Sequence, residues 1–530
     1  MNTIAKLCLT CVCLVATSCQ GASQSHEDEA APAPAPLYYH IFVRSFADSD
    51  GDQNGDLQGI IERLDYLQSL GVTGILLTPI YPSEFYHNYF ADDFYGVDPE
   101  FGDMDSYLAL VEALHSRDMT LIMDQEIQYV SGQHDWYTSA LNNPGSDLDG
   151  LALFADEANT QPVGTLFGRT RFDVWPAQQQ TIVTVDMLNP DVKAYFEEYL
   201  LFWMDPNGDG DFSDGVDGYR IDHMMDDLDN AGVLTGLFEA FWIPIFDELR
   251  ATNPDIVIVA EQADWGYGES FLNEGETDMV FGFPIWDATT KLDASAFAEA
   301  IERTNTVITP GHDQFVFIEN HDTPRFAGHE RNQPDILKLG AAVNLLTGWT
   351  PIVYYGQEIG MTGEKAESEA EAEALRASID DARDIGVRQA FRWHGAFEDG
   401  SLATWYRADR DAYPLEDSNQ PGDGVSVLEQ ETDPASLLNT YRSLATLRAQ
   451  HPALATGSTE LIAHEDEIVV LRRSTANDEA FVAFNFSGAA RTAQVISESA
   501  LDILYGEAVI SQSGETTAIR LEPYTALVWQ

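Results

Sequence analysis

The sequence has few basic residues and a large excess of acidic ones. Its 530 residues include 27 lysines and arginines against 88 aspartates and glutamates, which gives a formal net charge of −61 at pH 7. Nucleic acids and anionic membrane surfaces are bound through basic patches, so this composition argues against both kinds of partner. The surplus of carboxylates instead predicts a solvated, self-repelling surface suited to salty water.

Cysteine is also scarce, and all of it lies near one end of the chain. The four cysteines are Cys8, Cys11, Cys13 and Cys19. The sequence after residue 19 therefore excludes a disulfide framework and a cysteine metal site.

The N-terminal apolar run, Leu7 to Ala16, is too short to span a bilayer, and it follows a single lysine as in a secretory signal. The next residues, Ala16-Thr17-Ser18-Cys19, are similar to the lipobox of bacterial lipoproteins. We therefore predict a signal peptide over residues 1–18, a lipid anchor on Cys19, and a disordered tether, acidic and rich in Pro and Ala, over residues 19–36. The expected location is the cell envelope, periplasmic or outer-membrane, with plain secretion as the alternative. Contact with a membrane is expected only through this anchor.

Short apolar runs separated by amphipathic helical patterns predict an α/β fold. The runs are LYYHIFVRSF, VTGILLTPI, TLIMD, VDGYRID, IVIVAE, FVFIEN and PIVYYG. Continuous apolar strands of this kind indicate a buried parallel sheet, and the chain length fits a (β/α)8 TIM barrel. We predict a catalytic barrel over residues 37–455, with an irregular insertion after strand 3 at about 125–185. Strand and turn patterns then predict a C-terminal antiparallel β-sandwich domain over residues 456–530.

Several of these runs end in a carboxylate. Asp124, Asp222 and Glu261 close their strands, and FVFIEN leads directly to Asp322. In a (β/α)8 barrel the carboxyl ends of the strands meet at the rim that holds active sites. Four carboxylates gathered there are costly unless they are used, which indicates a catalytic centre. Arg220 stands two residues before Asp222 and so points to the same side of its strand.

Together, GYRID, VAEQADW and FIENHD resemble the alpha-amylase family, glycoside hydrolase family 13. The resemblance covers nearly the whole chain after the tether. It implies that Asp222 is the nucleophile, Glu261 the general acid/base and Asp322 the stabiliser of the transition state in a retaining hydrolysis. It also implies substrate contacts at Arg220, His321, Tyr89, Tyr129, Asp124 and Arg325.

The chain departs from the family pattern around the expected sugar site. The third strand usually reads Asp-Val-Val-x-Asn-His, whereas this chain has DQEIQY, with Gln128 and Tyr129 in the last two places. Phe90 stands after Tyr89 where many α-glucosidase-like members have Asp, which weakens an exo-acting interpretation. Asn88 replaces a glycine, and Met225-Asp226 replaces a Lys-His pair that often contacts leaving-side sugars.

The resemblance implies cleavage of α-1,4-glucosidic bonds in starch-derived glucans or maltooligosaccharides. An α-glucosidase or a glucosyltransferase of the same fold remains the alternative, because the leaving-side residues are unusual. A carbohydrate-binding protein without catalysis is the third possibility, and the presence of all the carboxylates argues against it.

Two acidic loops are candidate calcium sites. DSDGDQNGD places oxygen ligands at alternate positions, namely Asp48, Asp50, Asp52, Asn54 and Asp56. This spacing with intervening glycines predicts a Ca2+ loop. A second loop, DPNGDGDFSDGVD, has Asp205, Asn207, Asp209 and Asp211 in a similar register but carries Val216 where a bidentate Glu is expected. A further acidic segment, residues 363–384, is predicted to be a solvated helix rather than a site.

Overall fold

The computed structural model describes residues 35–175, 178–328, 331–365, 382–396, 402–407, 418–496, 502–513 and 516–530. The predicted signal peptide, the predicted lipid anchor and most of the tether fall in residues 1–34, outside these ranges. Residues 366–381 of the acidic segment also lie outside them. Within the described ranges, no helix is both long and apolar enough to cross a membrane.

Eight short parallel strands form the centre of the fold. They are Tyr38–Ile41 (β1), Gly74–Leu77 (β2), Thr120–Gln125 (β3), Gly218–Met224 (β7), Val257–Gln262 (β8), Met279–Phe281 (β9), Asp313–Val316 (β10) and Thr350–Tyr354 (β11). Each strand pairs with the next in this order, and β11 pairs with β1 to close a barrel. The predicted (β/α)8 barrel is therefore confirmed.

The barrel interior is filled by large apolar side chains contributed by most of its strands. These inward-facing residues are Leu76, Ile122, Val259, Met279, Phe281, Phe283, Phe315, Phe317 and Ile352. A second and larger apolar cluster lies between the strands and the surrounding helices. Because both faces of the strands are buried, the sequence of each strand is continuously apolar rather than alternating.

Helices surround the barrel, and several begin at a side chain that accepts a backbone N–H. Asp103 accepts from Ser106 and Asp293 accepts from Ser295, which satisfies amide groups at the helix starts. The α-helices are Val43–Phe46, Leu57–Glu62, Leu64–Ser69, Met104–His115, Asp135–Thr138, Pro190–Met204, Ile243–Thr252, Glu269–Asn273, Phe283–Thr290, Ala294–Val307, Pro334–Leu346, Val427–Gln430, Leu437–Gln450 and Pro452–Thr456.

The segment between β3 and β7 leaves the barrel and forms a small sheet of its own. Its strands are Tyr129–Ser131 (β4), Arg171–Val174 (β5) and Gln178–Thr184 (β6), with β6 between the other two and antiparallel to both. The predicted insertion after the third barrel strand is this sheet with its loops. It brings Tyr129 to the rim of the barrel.

The C-terminal part consists of antiparallel strands in two sheets. The strands are Ser458–Glu465 (β12), Ile468–Ser474 (β13), Glu479–Asn485 (β14), Arg491–Ile496 (β15), Ile503–Tyr505 (β16), Val509–Ser513 (β17), Thr516–Leu521 (β18) and Ala526–Trp529 (β19). One sheet has the order β12-β13-β14-β19-β16 and the other β15-β18-β17. Residues from both sheets share one apolar cluster, as in a β-sandwich.

The sandwich packs against the barrel through aromatic side chains. Phe297, on the helix Ala294–Val307, lies 5.9 Å from the ring of Phe484 and 5.1 Å from that of Phe486. These three side chains belong to the same buried cluster as the helix layer of the barrel. Residues 35–530 accordingly form one compact unit.

Candidate active site

The three predicted catalytic carboxylates line one cavity at the carboxyl end of the barrel. Asp222 lies on β7, Glu261 lies on β8, and Asp322 follows β10. The cavity has a volume of about 400 Å³. Its wall is formed by His87, Tyr89, Phe90, Glu126, Tyr129, Leu166, Phe167, Asp222, His223, Glu261, Ala263, Trp265, His321, Asp322, Lys365, Asp384 and Arg388.

Arg220 connects the carboxylates of three neighbouring strands. Its Nη1 lies 2.7 Å from both carboxylate oxygens of Asp124 and also donates to Asp222. Its Nη2 lies 2.7 Å from Oε2 of Glu261. The guanidinium is almost completely buried, so its charge is compensated by carboxylates rather than by water. This geometry fixes the orientation of Asp222 and Glu261 relative to each other.

Glu261 is placed so that it holds a proton near neutral pH. Burial raises the pKa of its carboxyl, and the charges of Asp222 and Asp322 raise it further, which outweighs the lowering by Arg220 and gives about 8. The backbone N–H of His223 donates to Oε2 of Glu261 at 3.2 Å. A buried carboxylic acid whose pKa is raised to near neutral pH is the group that acid catalysis requires.

Asp322 is held in its ionised form by neighbouring basic side chains. Burial alone would raise the pKa of its carboxyl, but His321, Arg388 and Lys365 together keep the pKa well below its usual range. His321 Nε2 lies 2.9 Å from one carboxylate oxygen, and Arg388 Nη2 lies 2.8 Å from the other. Asp322 and Glu261 therefore carry different charges at neutral pH although both line one cavity.

Arg388, Lys365 and Asp384 were not among the predicted site residues. Arg388 also contacts Asp384 at 3.1 Å, and Lys365 lies 2.9 Å from the same carboxylate. Lys365 Nζ donates to the backbone carbonyl of Asp322 at 2.9 Å. Lys365 and Asp384 belong to the acidic segment predicted to be a solvated helix. That prediction is wrong for these two residues, which line the cavity.

Three of the predicted substrate contacts line the cavity: Tyr89, Tyr129 and His321. The Tyr89 hydroxyl donates to Asp124 at 2.7 Å and lies 2.8 Å from His321 Nε2. The rings of Tyr89 and His321 stack with centroids 5.4 Å apart. The two stacked rings therefore form one side of the cavity wall.

The other three predicted substrate contacts, Arg220, Asp124 and Arg325, do not line the cavity. Arg220 and Asp124 form the buried ion pair beneath it. Arg325 is fully buried, binds Glu319 at 2.8 Å and lies 4.2 Å from the ring centroid of Tyr354. These three side chains therefore lie behind the wall of the cavity and support it, and their contact with substrate stays a prediction.

Tyr129 makes a contact that its sequence position did not reveal. Its hydroxyl donates to Asp229 at 2.6 Å, and the other oxygen of Asp229 lies 3.1 Å from His223 Nε2. Burial lowers the pKa of His223, but the hydrogen bond to Asp229 and the nearby carboxylates reverse this and raise it. The insertion and the loop after β7 are thus joined across one edge of the cavity.

Asn88 explains one departure from the family pattern. Its φ is +62°, in the left-handed region that favours glycine and that asparagine tolerates better than most residues. Its Nδ2 donates to Asp98 at 2.5 Å and to the carbonyl of Tyr81 at 2.9 Å. Asn88 therefore takes the backbone geometry of the usual glycine and holds the loop that carries Tyr89.

The first predicted calcium loop brings together part of its predicted ligand set. Carboxylate oxygens of Asp48, Asp50 and Asp56 lie within 4.8 Å of one another. Oxygen donors from three carboxylates fit a hard cation such as Ca2+. Asp52 is not in this group and accepts the backbone N–H of Asn54 at 2.7 Å. The side-chain oxygen of Asn54 accepts from Arg44 Nη1 at 2.9 Å.

The second acidic loop has a different geometry. Asp205 accepts the backbone N–H groups of Gly208 at 2.9 Å and Gly210 at 2.8 Å, and Asp209 accepts that of Asp211 at 2.8 Å. Among the residues that the structure describes, Asp48, Asp50 and Asp56 are the one set of three or more His, Cys, Asp or Glu side chains whose ligand atoms converge. The 205–217 loop contributes no such set.

Two carboxyl groups, one ionised and one protonated, at the carboxyl rim of a (β/α)8 barrel have the charges that enzymes acting on glycosidic bonds require. The alpha-amylase family, described as "Alpha amylase, catalytic domain", matches residues 40–457. The chain belongs to this family, as its motifs predicted, and it is a glycosidase. The family accordingly implies an oligosaccharide substrate.

Three comparisons illustrate this relationship. The chain is 26% identical to Alpha-amylase 3 of Dictyoglomus thermophilum over 504 residues, which cover 93% of this chain and 92% of that protein. It is 26% identical to an oligo-1,6-glucosidase of Halalkalibacterium halodurans over 580 residues, which cover 93% and 98%. The solved structure of an alpha-amylase from H. orenii superposes with a TM-score of 0.75 at 26% identity and covers 94% of this chain and 99% of that one.

Proposed function

We propose that this chain is a retaining α-glucan hydrolase that cleaves α-1,4-glucosidic bonds in starch-derived glucans or maltooligosaccharides. The observation that carries the proposal is the set of Asp222, Glu261 and Asp322 on one cavity wall, with Arg220 bonded to the first two. In this assignment Asp222 is the nucleophile, Glu261 is the general acid/base, and Asp322 stabilises the transition state.

The charges of these groups support a two-step displacement. Arg220 stabilises the carboxylate of Asp222, which attacks the anomeric carbon while Glu261 gives its proton to the departing glycosidic oxygen. The resulting Glu261 carboxylate then takes a proton from water, and that water displaces Asp222 from the sugar. Asp322, ionised beside His321 and Arg388, stabilises the positive charge that develops on the sugar ring.

The choice of α-1,4 glucans rests on the relatives and on the cavity. A relative of nearly the same length carries the name alpha-amylase, which favours this choice, whereas the name of another, oligo-1,6-glucosidase, points to the alternative. Phe90 lines the cavity beside Tyr89, in the place where an Asp is common in α-glucosidase-like members. An apolar ring at that position favours an amylase-type cleft over a closed exo-acting pocket.

The test is a time course of products and anomers formed from maltoheptaose by the chain from Gln20 onward. We expect short maltooligosaccharides of mixed length whose new reducing ends are first released as the α-anomer. Glucose alone would identify the alternative, an exo-acting α-glucosidase, and products longer than the substrate would identify a glucosyltransferase. Release of the β-anomer would contradict the retaining mechanism.

Two variants distinguish an enzyme from a protein that binds carbohydrate without cleaving it. Asp222→Asn and Glu261→Gln should each lower kcat by about a thousandfold or more, because each removes a group that takes part in bond exchange. Asp287→Asn is the matched control. Asp287 lies in the helix Phe283–Thr290, pairs with the exposed Lys291 and is not among the residues that line the cavity. Unchanged activity of the first two variants would reject the assignment.

We further propose a structural Ca2+ ion held by Asp48, Asp50 and Asp56. Asp56 also caps the helix Leu57–Glu62 by accepting the N–H of Gly59 at 2.6 Å. A cation there would neutralise three neighbouring carboxylates at the start of that helix and stabilise the loop after β1. It supplies no step of the reaction.

The cellular location is proposed from the sequence alone. A lipid on Cys19 would hold the enzyme at the cell envelope, where it could act on oligosaccharides outside the cytoplasm. Expression of the full chain in a bacterial host should give a detergent-phase protein, and Cys19→Ser should give a protein that is not lipid-modified. If both proteins partition into the aqueous phase, secretion without an anchor is the correct alternative.

A further inference from the structure

Glu126 is a further acidic side chain on the wall of the cavity and has no part in the mechanism above. It follows β3, two residues after Asp124, and its side chain is almost completely buried. It lines the same cavity as Asp222 and Glu261. A buried carboxyl group beside a catalytic one needs a partner and a defined protonation state.

The partner of Glu126 is Asp222. The two carboxyl groups lie within hydrogen-bonding reach of each other, and a hydrogen bond between two carboxyl groups requires that one of them carries a proton. Asp222 also accepts from the Arg220 guanidinium, which favours its ionised form. The proton therefore lies on Glu126.

The oxygen that carries this proton follows from the backbone contact. Oε1 of Glu126 accepts the backbone N–H of Gln128 at 2.6 Å. Oε2 is then the oxygen that remains for a contact with Asp222. The side chain of Gln128 completes the arrangement, because its Nε2 donates to the backbone carbonyl of Asp222 at 2.6 Å. Residues 126 and 128 thus hold both the side chain and the backbone of the nucleophile.

The groups that face Glu126 favour its neutral form. They are Asp222 from β7, Asp229 from the loop after β7, the Tyr129 hydroxyl at the start of β4, and the Tyr81 hydroxyl, which lies 3.1 Å from the backbone carbonyl of Glu126. All are acidic or neutral. The pKa of Glu126 is raised well above its usual value, mainly by burial and then by the charge of Asp222.

We propose that Glu126 is a positioning residue that remains protonated and donates a hydrogen bond to the carboxylate of Asp222. With Arg220 on the other side, it holds the nucleophile in its attacking orientation. When the bond between Asp222 and the sugar breaks in the second step, the same donor stabilises the carboxylate that is released. The role rests on the proposed function, since it requires Asp222 to be the nucleophile.

The kinetic test compares two substitutions that differ in their ability to donate. Glu126→Gln keeps an N–H donor of similar shape, and we expect its kcat to lie within about threefold of the original. Glu126→Leu keeps the volume but removes the donor, and we expect kcat to fall by about 10- to 100-fold with little change in KM, as for loss of a hydrogen bond to a charged group. Equal kcat values for the Leu variant and the original chain would overturn the proposal.

Infrared spectroscopy tests the proton directly and does not depend on turnover. The difference between the spectra of the original chain and Glu126→Gln at pH 7 should contain the carbonyl stretch of a protonated carboxylic acid. Glu112→Gln, on an exposed face of the helix Met104–His115, should instead remove carboxylate bands. Loss of carboxylate bands in the Glu126 variant would overturn the proposal.

The two measurements also separate this proposal from the proposed function. If maltoheptaose is not turned over by the original chain, the proposed function fails while the infrared difference still decides the protonation of Glu126. If maltoheptaose is hydrolysed and Asp222→Asn is inactive, the proposed function holds, and the Gln and Leu variants decide the role of Glu126. Thermal unfolding of both variants shows whether a loss of kcat reflects a loss of folded protein.

Discussion

Arg388 Nη2 lies 2.8 Å from one carboxylate oxygen of Asp322, while Nε of the same guanidinium donates to the backbone carbonyl of His321 at 2.9 Å. One side chain therefore holds both residues of the His-Asp pair at the cavity. Arg388 also accounts for part of the positive charge that keeps Asp322 ionised.

We expect Arg388→Gln to lower kcat/KM by about 10- to 100-fold, because Asp322 loses a charge-assisted hydrogen bond. The pKa of Asp322 should rise toward its usual value, so the acidic limb of the kcat/KM profile should move to higher pH. Arg442→Gln, which removes the same charge on the helix Leu437–Gln450, is the control. A profile of Arg388→Gln that superposes on the original would contradict this role.

The pKa of Glu261 predicts the alkaline limit of activity. The acid form is required for protonation of the leaving oxygen, so kcat/KM should fall as pH rises through about 8. In Glu261→Gln the acid is missing at every pH, and activity on maltoheptaose should be lost. A substrate that needs no proton on its leaving group, α-glucosyl fluoride, should still form the covalent intermediate in this variant. Failure with the fluoride as well would point to a different role for Glu261.

A substitution at Tyr129 tests whether its hydroxyl binds substrate or stabilises the folded protein. Because the hydroxyl donates to Asp229 at 2.6 Å, we expect Tyr129→Phe to lower the free energy of unfolding by about 1 kcal/mol and to leave KM nearly unchanged. Tyr137→Phe, in the same insertion, controls for the loss of a hydroxyl. A large rise in KM without a change in stability would show that the hydroxyl binds substrate.

The proposed calcium loop predicts a thermal response to chelation. A cation that binds only the folded protein raises its stability, so EDTA should lower the Tm of the original chain. Asp50→Asn should have a lower Tm and little further response to EDTA. Asp209→Asn, in the 205–217 loop that lacks a converging carboxylate set, should keep the full response. If EDTA leaves the Tm of the original chain unchanged, the proposed ion is absent.

Glu358 predicts a pH dependence of stability away from the cavity. Its buried carboxyl accepts the hydroxyls of Tyr39 and Tyr66, each at 2.7 Å, and burial raises its pKa from 4.5 to about 7. The folded state then binds a proton that the unfolded state releases above pH 4.5. The contribution of Glu358 to the free energy of unfolding is therefore fully present below pH 4.5 and is lost as pH rises through about 7.

Glu358→Gln cannot release this proton. Between pH 4.5 and pH 8, the free energy of unfolding should fall in both proteins. The fall should be about 3 kcal/mol smaller in Glu358→Gln than in the original chain. Urea unfolding at the two pH values measures the difference. Glu431→Gln, at an exposed position, should behave like the original chain. Parallel pH dependence in all three proteins would show that Glu358 does not titrate in this range.

The barrel and the predicted carboxylates followed from local features of the sequence. Asp222 and Glu261 end apolar strands, and the closed barrel places such ends at one rim. The strand β9 has only three residues, and a run this short between longer apolar segments carries little signal of its own. It was not among the seven apolar runs from which the barrel was predicted.

The missed site residues depend on contacts that the sequence does not encode locally. Arg388 pairs with a carboxylate 66 residues away, and the pairing becomes visible only when the barrel closes. The sequence spacing could have predicted Glu126 as a site residue, because it stands two residues after Asp124 and so points to the same side of the chain. The buried positions of Asp124, Arg220 and Arg325 could not be separated from the cavity wall by motif alone.

The position of β19 in the C-terminal sheet has a consequence for folding during synthesis. Ala526–Trp529 lies between β14 and β16 and is hydrogen-bonded to both. While the ribosome is still making residues before 526, β14 has an open edge, and such edges are templates for pairing with other chains. This sheet can therefore be completed only after residues 526–529 have been made, later in synthesis than the barrel to which the sandwich attaches.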